Sequence, residues 1–163
     1  MRHLRLLLLL LPFSAAAQDC ALRKTIDPYT KETRLSTGLI ELQNGSLAIE
    51  ADKAEIDFFF SMSGGEKCFS DQSTAVINYE GTKLKATFKN LGPNNCEGFF
   101  HIIFRNAKGT NALLQRLVTQ KITTIQFTGN NKSPILFEFT PADQENVMKR
   151  GQCLVEEAKK LLE

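Results

Sequence analysis

The stretch Phe137-Glu138-Phe139-Thr140-Pro141-Ala142-Asp143 (FEFTPAD) decides the fold class, because a strand pattern ends in it and a helical pattern begins. Its two Phe residues and Ile135 alternate with other side chains, which is the period of a β-strand. Thr140 suits a helix N-cap, Pro141 suits the first helical position, and Asp143 lies where a capping box places an acid. A chain that changes period in this way is typical of an α+β fold.

The residues after Thr140 predict a C-terminal amphipathic helix that packs on the sheet. Its apolar residues fall within an arc of about 140° at ~100° per residue; they are Val147, Met148, Gly151, Leu154, Val155, Ala158, Leu161 and Leu162. Cys153 lies outside this arc, so the pattern places it on the polar side of the helix. A shorter amphipathic helix is predicted late in the chain, around Leu113 to Val118.

The rest of the chain predicts about eight antiparallel strands, arranged as a sandwich or a partly closed barrel. The alternation is clearest in Lys83–Lys89, where Leu84, Ala86 and Phe88 point inward. An Asn-Gly pair at Asn44 marks a hairpin. The segment after Cys20 is interpreted as a polar lead-in without a strand, ending at the turn signal Asp27-Pro28.

The N-terminus predicts export. Residues 1–17 combine a short basic region, an apolar run and an Ala-x-Ala pattern, which is typical of a secretory signal peptide. We expect residues 18–163 to form a single globular domain, periplasmic or secreted, with no transmembrane segment after cleavage. Because Gln18-Asp19 precede Cys20, lipidation of that cysteine is not expected.

The charge of the exported part excludes one class of partner. The full chain has 20 Lys+Arg and 18 Asp+Glu, and Arg2 and Arg5 belong to the signal, which leaves 18 basic residues against 18 acidic ones. Binding to nucleic acid requires a basic excess that displaces counterions from phosphates. No nucleic-acid partner is therefore expected.

The four cysteines predict two disulfides. Cys20, Cys68, Cys96 and Cys153 all lie beyond the signal and so reach an oxidising compartment. Four cysteines allow three connectivities, and the sequence does not choose among them. We favour Cys20–Cys153, with the lead-in segment reaching the helix, and Cys68–Cys96, with each cysteine in a turn beside a strand. No CxxC pair is present, so a redox motif or a zinc site is not expected.

The segment Phe99–Phe104 contains His101, the one histidine left after the signal. It is apolar on both faces, which predicts a central strand covered on both sides. We interpret His101 first as a neutral core histidine with one ring nitrogen bonded to the backbone. Its alternatives are a ligand site and a catalytic base.

Catalysis has little support in the sequence. His101 lacks a recognisable nucleophile motif such as G-x-S-x-G. A pair of carboxylates is the other route to hydrolysis, and five acids lie on predicted strands, namely Glu41, Glu50, Asp57, Glu80 and Glu138. Their alternation with apolar residues also fits a solvated sheet face. No catalytic residue, metal or cofactor is predicted.

Four segments carry a resemblance to known proteins: Asp27-Pro28-Tyr29-Thr30, Asn95–Ile102, Leu117–Gly129, and Phe137–Cys153 with its Thr140-capped helix. They resemble a group of small uncharacterised secreted proteins of Gram-negative bacteria. The resemblance covers about half of the exported chain and implies a fold and a location, but no activity. The order of strands followed by a helix is also similar to that of pleckstrin-homology-like domains.

These observations favour a non-enzymatic interaction or binding domain of the bacterial envelope, whose partner is an unknown envelope protein or a small ligand. One alternative is a carrier that holds a small apolar ligand in a Phe-lined cavity, because the chain has 12 Phe and no Trp. Another is an envelope hydrolase that uses His101 or paired carboxylates.

Overall fold

The structure is a computed structural model that describes residues 20–163. The predicted signal peptide, residues 1–17, lies outside the described residues. Along the described part the order is β1 (Arg23–Ile26), β2 (Thr33–Leu42), β3 (Gly45–Ala51), β4 (Glu55–Met62), β5 (Thr74–Tyr79), β6 (Lys85–Lys89), β7 (Phe99–Arg105), α1 (Ala112–Thr119), β8 (Ile122–Thr128), β9 (Pro134–Glu138) and α2 (Pro141–Lys159), with a 3-10 turn at Lys160–Leu162.

The strands form two antiparallel sheets. The five-stranded sheet has the order β1-β2-β3-β4-β7, and the four-stranded sheet has the order β6-β5-β8-β9. The predicted fold class, α+β with mainly antiparallel sheet, is confirmed. Of the two arrangements left open, the separate sheets fit a sandwich, and they do not close into a barrel.

The core between the sheets is built from phenylalanine. Phe60 on β4 lies with its ring centroid 5.1 Å from that of Phe127 on β8 and 6.3 Å from that of Phe137 on β9. Phe100 on β7 reaches Phe127 at 5.1 Å. These pairs are edge-to-face, the geometry that the ring quadrupoles favour. Six Phe side chains are fully buried, namely Phe58, Phe60, Phe69, Phe100, Phe127 and Phe137.

The C-terminal helix packs on the five-stranded sheet, as the sequence predicted. Helix α2 packs against β2 and β3, and α1 packs against α2. Gly151 allows the close approach of the two helices, because a Cβ there would lie 3.0 Å from Cγ1 of Val118. The predicted capping box is present, with the Thr140 hydroxyl accepting from the Asp143 N–H and the Asp143 carboxylate accepting from the Thr140 N–H. Within residues 20–163 no helix is both long and apolar enough to cross a membrane.

Two sequence expectations about strands were wrong. The lead-in contains a strand, β1, whose four residues are all exposed. It buries no side chain, so it has no hydrophobic alternation, and its ladder with β2 holds it in place. Strand β7 is the last strand of its sheet and is not central. Its inner face is buried by the sandwich, while Phe99, His101 and Ile103 on the other face are half-buried.

Cys153 lies beside Lys149 and Arg150 on α2, on the side of the helix that the sequence predicted. Its side chain is buried, with 5% of the residue exposed. The predicted polar side of α2 is covered there by the N-terminal segment, because Cys20 pairs with Cys153 at a Cα–Cα distance of 5.7 Å. The sequence-derived pairing of Cys20 with Cys153 is confirmed.

Candidate binding site beside strand β7

The register of two neighbouring strands brings His101 to an acid. Strands β4 and β7 pair so that Phe59 lies opposite His101. Asp57 is two residues before Phe59 and therefore points to the same face, one step along the diagonal. The Nδ1 atom of His101 lies 2.7 Å from Oδ2 of Asp57. Because a carboxylate accepts hydrogen bonds and does not donate them, Nδ1 is the donor when the two groups meet as imidazole and carboxylate.

The first interpretation of His101 was wrong in its partner and its burial. The ring nitrogen contacts a carboxylate and not the backbone, and 21% of the His101 side chain is exposed. Gly92 lies against the ring edge, since a Cβ at that position would lie 2.9 Å from Cγ of His101. The ring also packs on Phe59, with centroids 4.8 Å apart. His101 is thus a fixed side chain at a surface.

The free edge of β7 is closed by two asparagines that imitate a neighbouring strand. Asn95 accepts from the Phe99 N–H at 3.0 Å and donates to the Phe99 carbonyl oxygen at 2.9 Å. Asn90 accepts from the His101 N–H at 2.9 Å, and the Leu91 N–H donates to the His101 carbonyl oxygen at 3.0 Å. These bonds satisfy the outward groups that an edge strand leaves unpaired. They hold the 90–95 segment alongside β7.

An open groove of about 510 Å³ lies between this segment and the outer face of β7. We call it the β7 groove. Its lining residues are Glu66, Pro93, Asn94, Asn95, Cys96, Glu97, Phe99 and His101. The lining contains two exposed carboxylates and no Lys or Arg. Lys67, next to Glu66 in the chain, donates instead to the Gly64 carbonyl oxygen.

The floor of the β7 groove is cross-linked. Cys68 and Cys96 form a disulfide, as the sequence-derived pairing proposed. Bridges at Lys67 to Glu97 and Phe69 to Asn95 run on either side of it. A groove held by a disulfide and by asparagine side chains loses little conformational entropy when a ligand binds.

Aromatic rings form one wall of the site. Phe59 contacts both Phe99, at a centroid distance of 5.2 Å, and His101. All three rings are half-buried on the outer face of the sheet. The wall therefore offers apolar contact beside the two carboxylates.

Asp57 also faces a second, smaller concavity. It lies opposite Glu50 in the β3–β4 register, and both line a space of about 80 Å³ together with Arg34. Oδ1 of Asp57 is buried and accepts no hydrogen bond from the described residues. This space is much smaller than the β7 groove.

The other candidate residues are not brought to one place. Glu41, Glu80 and Glu138 are exposed and lie on different strands or at their ends. In the described part of the chain, Glu66 forms one group of potential metal ligands with Cys68 and Cys96. Both sulfurs belong to the disulfide, so neither is the thiolate that binds a metal.

Sequence reasoning missed several residues of this site: Asp57 as the partner of His101, the edge-closing Asn90 and Asn95, and the groove carboxylates Glu66 and Glu97. A weak signal existed for Asp57, whose place in the alternation put it on the face opposite Ile56 and Phe58. Nothing in the sequence fixes the register of β4 against β7, and that register makes the contact.

Comparisons with protein-family models, with curated proteins and with solved structures found no match for this chain. The functional interpretation therefore depends on the site itself.

Proposed function

We propose that this protein is a non-enzymatic binding domain of the bacterial envelope, exported to the periplasm or outside the cell, which holds a positively charged segment of an envelope partner in the β7 groove. The observation that carries the proposal is the composition of that groove. Its lining has two exposed carboxylates, Glu66 and Glu97, and no Lys or Arg. A concave surface with one sign of charge attracts the opposite charge and orients it.

The aromatic wall supports the same kind of partner. Lys and Arg side chains carry long apolar stems that pack on aromatic surface while the charged head meets a carboxylate. Phe99 and His101 line the groove directly, and Phe59 supports both rings from β4. The groove thus matches both parts of a basic side chain.

Export is supported by the cross-links. Two cysteine pairs at disulfide distance, Cys20–Cys153 and Cys68–Cys96, fit an oxidising compartment.

The carrier alternative gains no support from the core. The phenylalanine rings that would line a cavity contact one another between the two sheets. Their close packing uses the space that an apolar ligand would need.

One observation favours the hydrolase alternative. The Asp57–His101 pair has the arrangement of the acid and base in a catalytic triad. A hydroxyl on the same face of β4, that of Ser61, lies on the other side of Phe59, and among the described residues it makes no hydrogen bond to His101. Turnover of an activated ester that disappears in both His101→Ala and Ser61→Ala would favour this reading.

The proposal is tested by photo-crosslinking in the cell that produces the protein. Benzoylphenylalanine replaces Asn94, which is exposed at the groove, or Thr87, which is exposed on β6 of the other sheet. We expect a discrete adduct from position 94 that disappears when Glu66 and Glu97 are both changed to Gln. The same adducts from both positions, or none from position 94, would contradict the proposal.

A further inference from the structure

Strand β1 differs from the other three sheet edges in how its backbone is protected. The edge of β7 is closed by Asn90 and Asn95. The edge of β9 begins with Pro134, and the Leu136 carbonyl oxygen accepts from Asn44 at 2.7 Å. The edge of β6 carries Lys85 and Lys89 and no acid, so a second copy of that strand would be repelled.

The unpaired groups of β1 can be identified from its ladder. The hydrogen bond from the Asp27 N–H to the Glu32 carbonyl oxygen, 2.9 Å, closes the β1–β2 hairpin. Because antiparallel bonds alternate along a strand, Thr25 and Arg23 also bond toward β2, and Lys24 and Ile26 point their N–H and C=O groups away from it. All four β1 residues are exposed, Ile26 to 60%. In the described residues no further hydrogen bond reaches Lys24 or Ile26.

We propose that β1 pairs with β1 of a second copy of this chain, antiparallel, so that the five-stranded sheets of the two copies become continuous. The residues that point outward fix the register. Lys24 lies opposite Ile26 of the second copy, and about four backbone hydrogen bonds join the strands. Thr25 then faces its own counterpart at the two-fold axis.

The side chains of β1 are self-complementary in this register. Arg23 lies opposite Asp27 of the second copy, an opposite-charge pair that occurs twice by symmetry. Asp27 uses Oδ1 to accept from the Tyr29 and Thr30 N–H groups, and the charge of Arg34 in the same chain lies near it. Those backbone bonds, that of Thr30 first, lower the pKa of Asp27, so its carboxylate is charged at neutral pH.

Neighbouring registers fit less well. A shift in one direction places Lys24 opposite its own copy, where like charges repel. A shift in the other direction places Lys24 opposite Pro28, which has no N–H to donate. The contact is small, so we expect weak, concentration-dependent association.

The test is a cysteine trap on protein expressed from the full chain with export. Thr25→Cys places one thiol from each copy at the two-fold axis. The two Cα atoms would lie about 4.5 Å apart, which is within the range for a disulfide. Arg34→Cys is the matched control, since Arg34 is exposed and pairs with Thr25 but lies one strand further from the edge. We expect a disulfide-linked dimer from Thr25→Cys alone, with the native pairs intact by peptide mapping.

Analytical ultracentrifugation of the protein without an added cysteine provides a second readout. We expect reversible dimerisation that Arg23→Glu weakens roughly tenfold, because it replaces two opposite-charge pairs with like-charge pairs. Equal cross-linking of the two cysteine variants, a Thr25→Cys adduct with a different polypeptide, or a chain that stays monomeric in both assays would overturn self-pairing. None of these outcomes depends on the β7 groove.

Discussion

Nδ1 of His101 lies 2.7 Å from Oδ2 of Asp57, and this contact joins the edge strand β7 to β4 on the outer face of the five-stranded sheet. Both side chains are about four-fifths covered, with 21% and 20% exposed. The pair is therefore more buried than a surface ion pair and less buried than one in the core. It sets the orientation of the ring that lines the β7 groove.

Asp57→Asn is expected to lower the free energy of unfolding by about 1–2 kcal/mol, because a charge-assisted hydrogen bond is replaced by a neutral one. Urea unfolding measures the change, and NMR of the His101 ring reports its orientation. Glu50→Gln is the control, since Glu50 is the register partner of Asp57 on the same face. Equal effects of the two variants would mean that the contact with His101 contributes nothing specific.

Gly92→Ala is expected to displace the His101 ring, because the added methyl group would overlap its Cδ2 and Cγ atoms. We expect destabilisation of about 2 kcal/mol, in the range for overpacked sites. Gly109→Ala is the matched control, as a Cβ there meets nothing within 4 Å. A Gly92→Ala variant with unchanged stability and unchanged His101 shifts would contradict the described packing.

Asn95→Ala is expected to expose the edge of β7. The substitution removes both side-chain bonds to Phe99, so the Phe99 amide should exchange its hydrogen much faster. Asn94→Ala, at the exposed neighbouring position, should leave that exchange rate unchanged. Equal protection of Phe99 in the two variants would show that the asparagine does not close the edge.

The fold was largely predictable because its strongest signals are local. The alternation in Lys83–Lys89 and the capping box at Thr140 each depend on a few adjacent residues. Strand β1 gave no such signal, since it buries nothing. The Asp57–His101 contact depends on strands 44 residues apart in sequence, and register over that distance is set by packing that the sequence pattern does not specify.

Tyr79 should titrate at unusually high pH. Burial raises the pKa of Tyr79 to about 12, and its hydroxyl has no hydrogen-bond partner among the described residues. The chain has two tyrosines, so Tyr29→Phe leaves Tyr79 as the sole phenol, which can be followed at the phenolate absorbance. A midpoint near the ordinary value of 10 would contradict its burial.

The same shift predicts a loss of stability in alkali. The folded protein holds the Tyr79 proton above pH 10 while the unfolded chain releases it, so stability falls as the pH rises from about 10 to about 12. Below that window this tyrosine contributes no pH dependence. Tyr79→Phe should remove this part of the decline in stability. The difference between the stabilities of the unmodified protein and the variant, measured by urea unfolding at each pH, isolates it.

Reductive loss of the disulfides should affect stability unequally. In the chain-entropy model the Cys20–Cys153 bond, with a sequence separation of 133, contributes about 5 kcal/mol, and the Cys68–Cys96 bond, with a separation of 28, contributes about 3.6 kcal/mol. Double Cys→Ala variants compared by urea unfolding test this order. Reversal of the order would show that effects in the folded state outweigh chain entropy.

The central claim, that the β7 groove binds positive charge, is tested most directly by titrating hexalysine into isotope-labelled protein and following the amide NMR signals. The account predicts shifts confined to Glu66, Glu97 and the Phe99–His101 segment. It also predicts affinity roughly tenfold lower when both glutamates are changed to Gln, and no response to hexaglutamate. Shifts scattered over acidic residues elsewhere, or none at millimolar peptide, would contradict it.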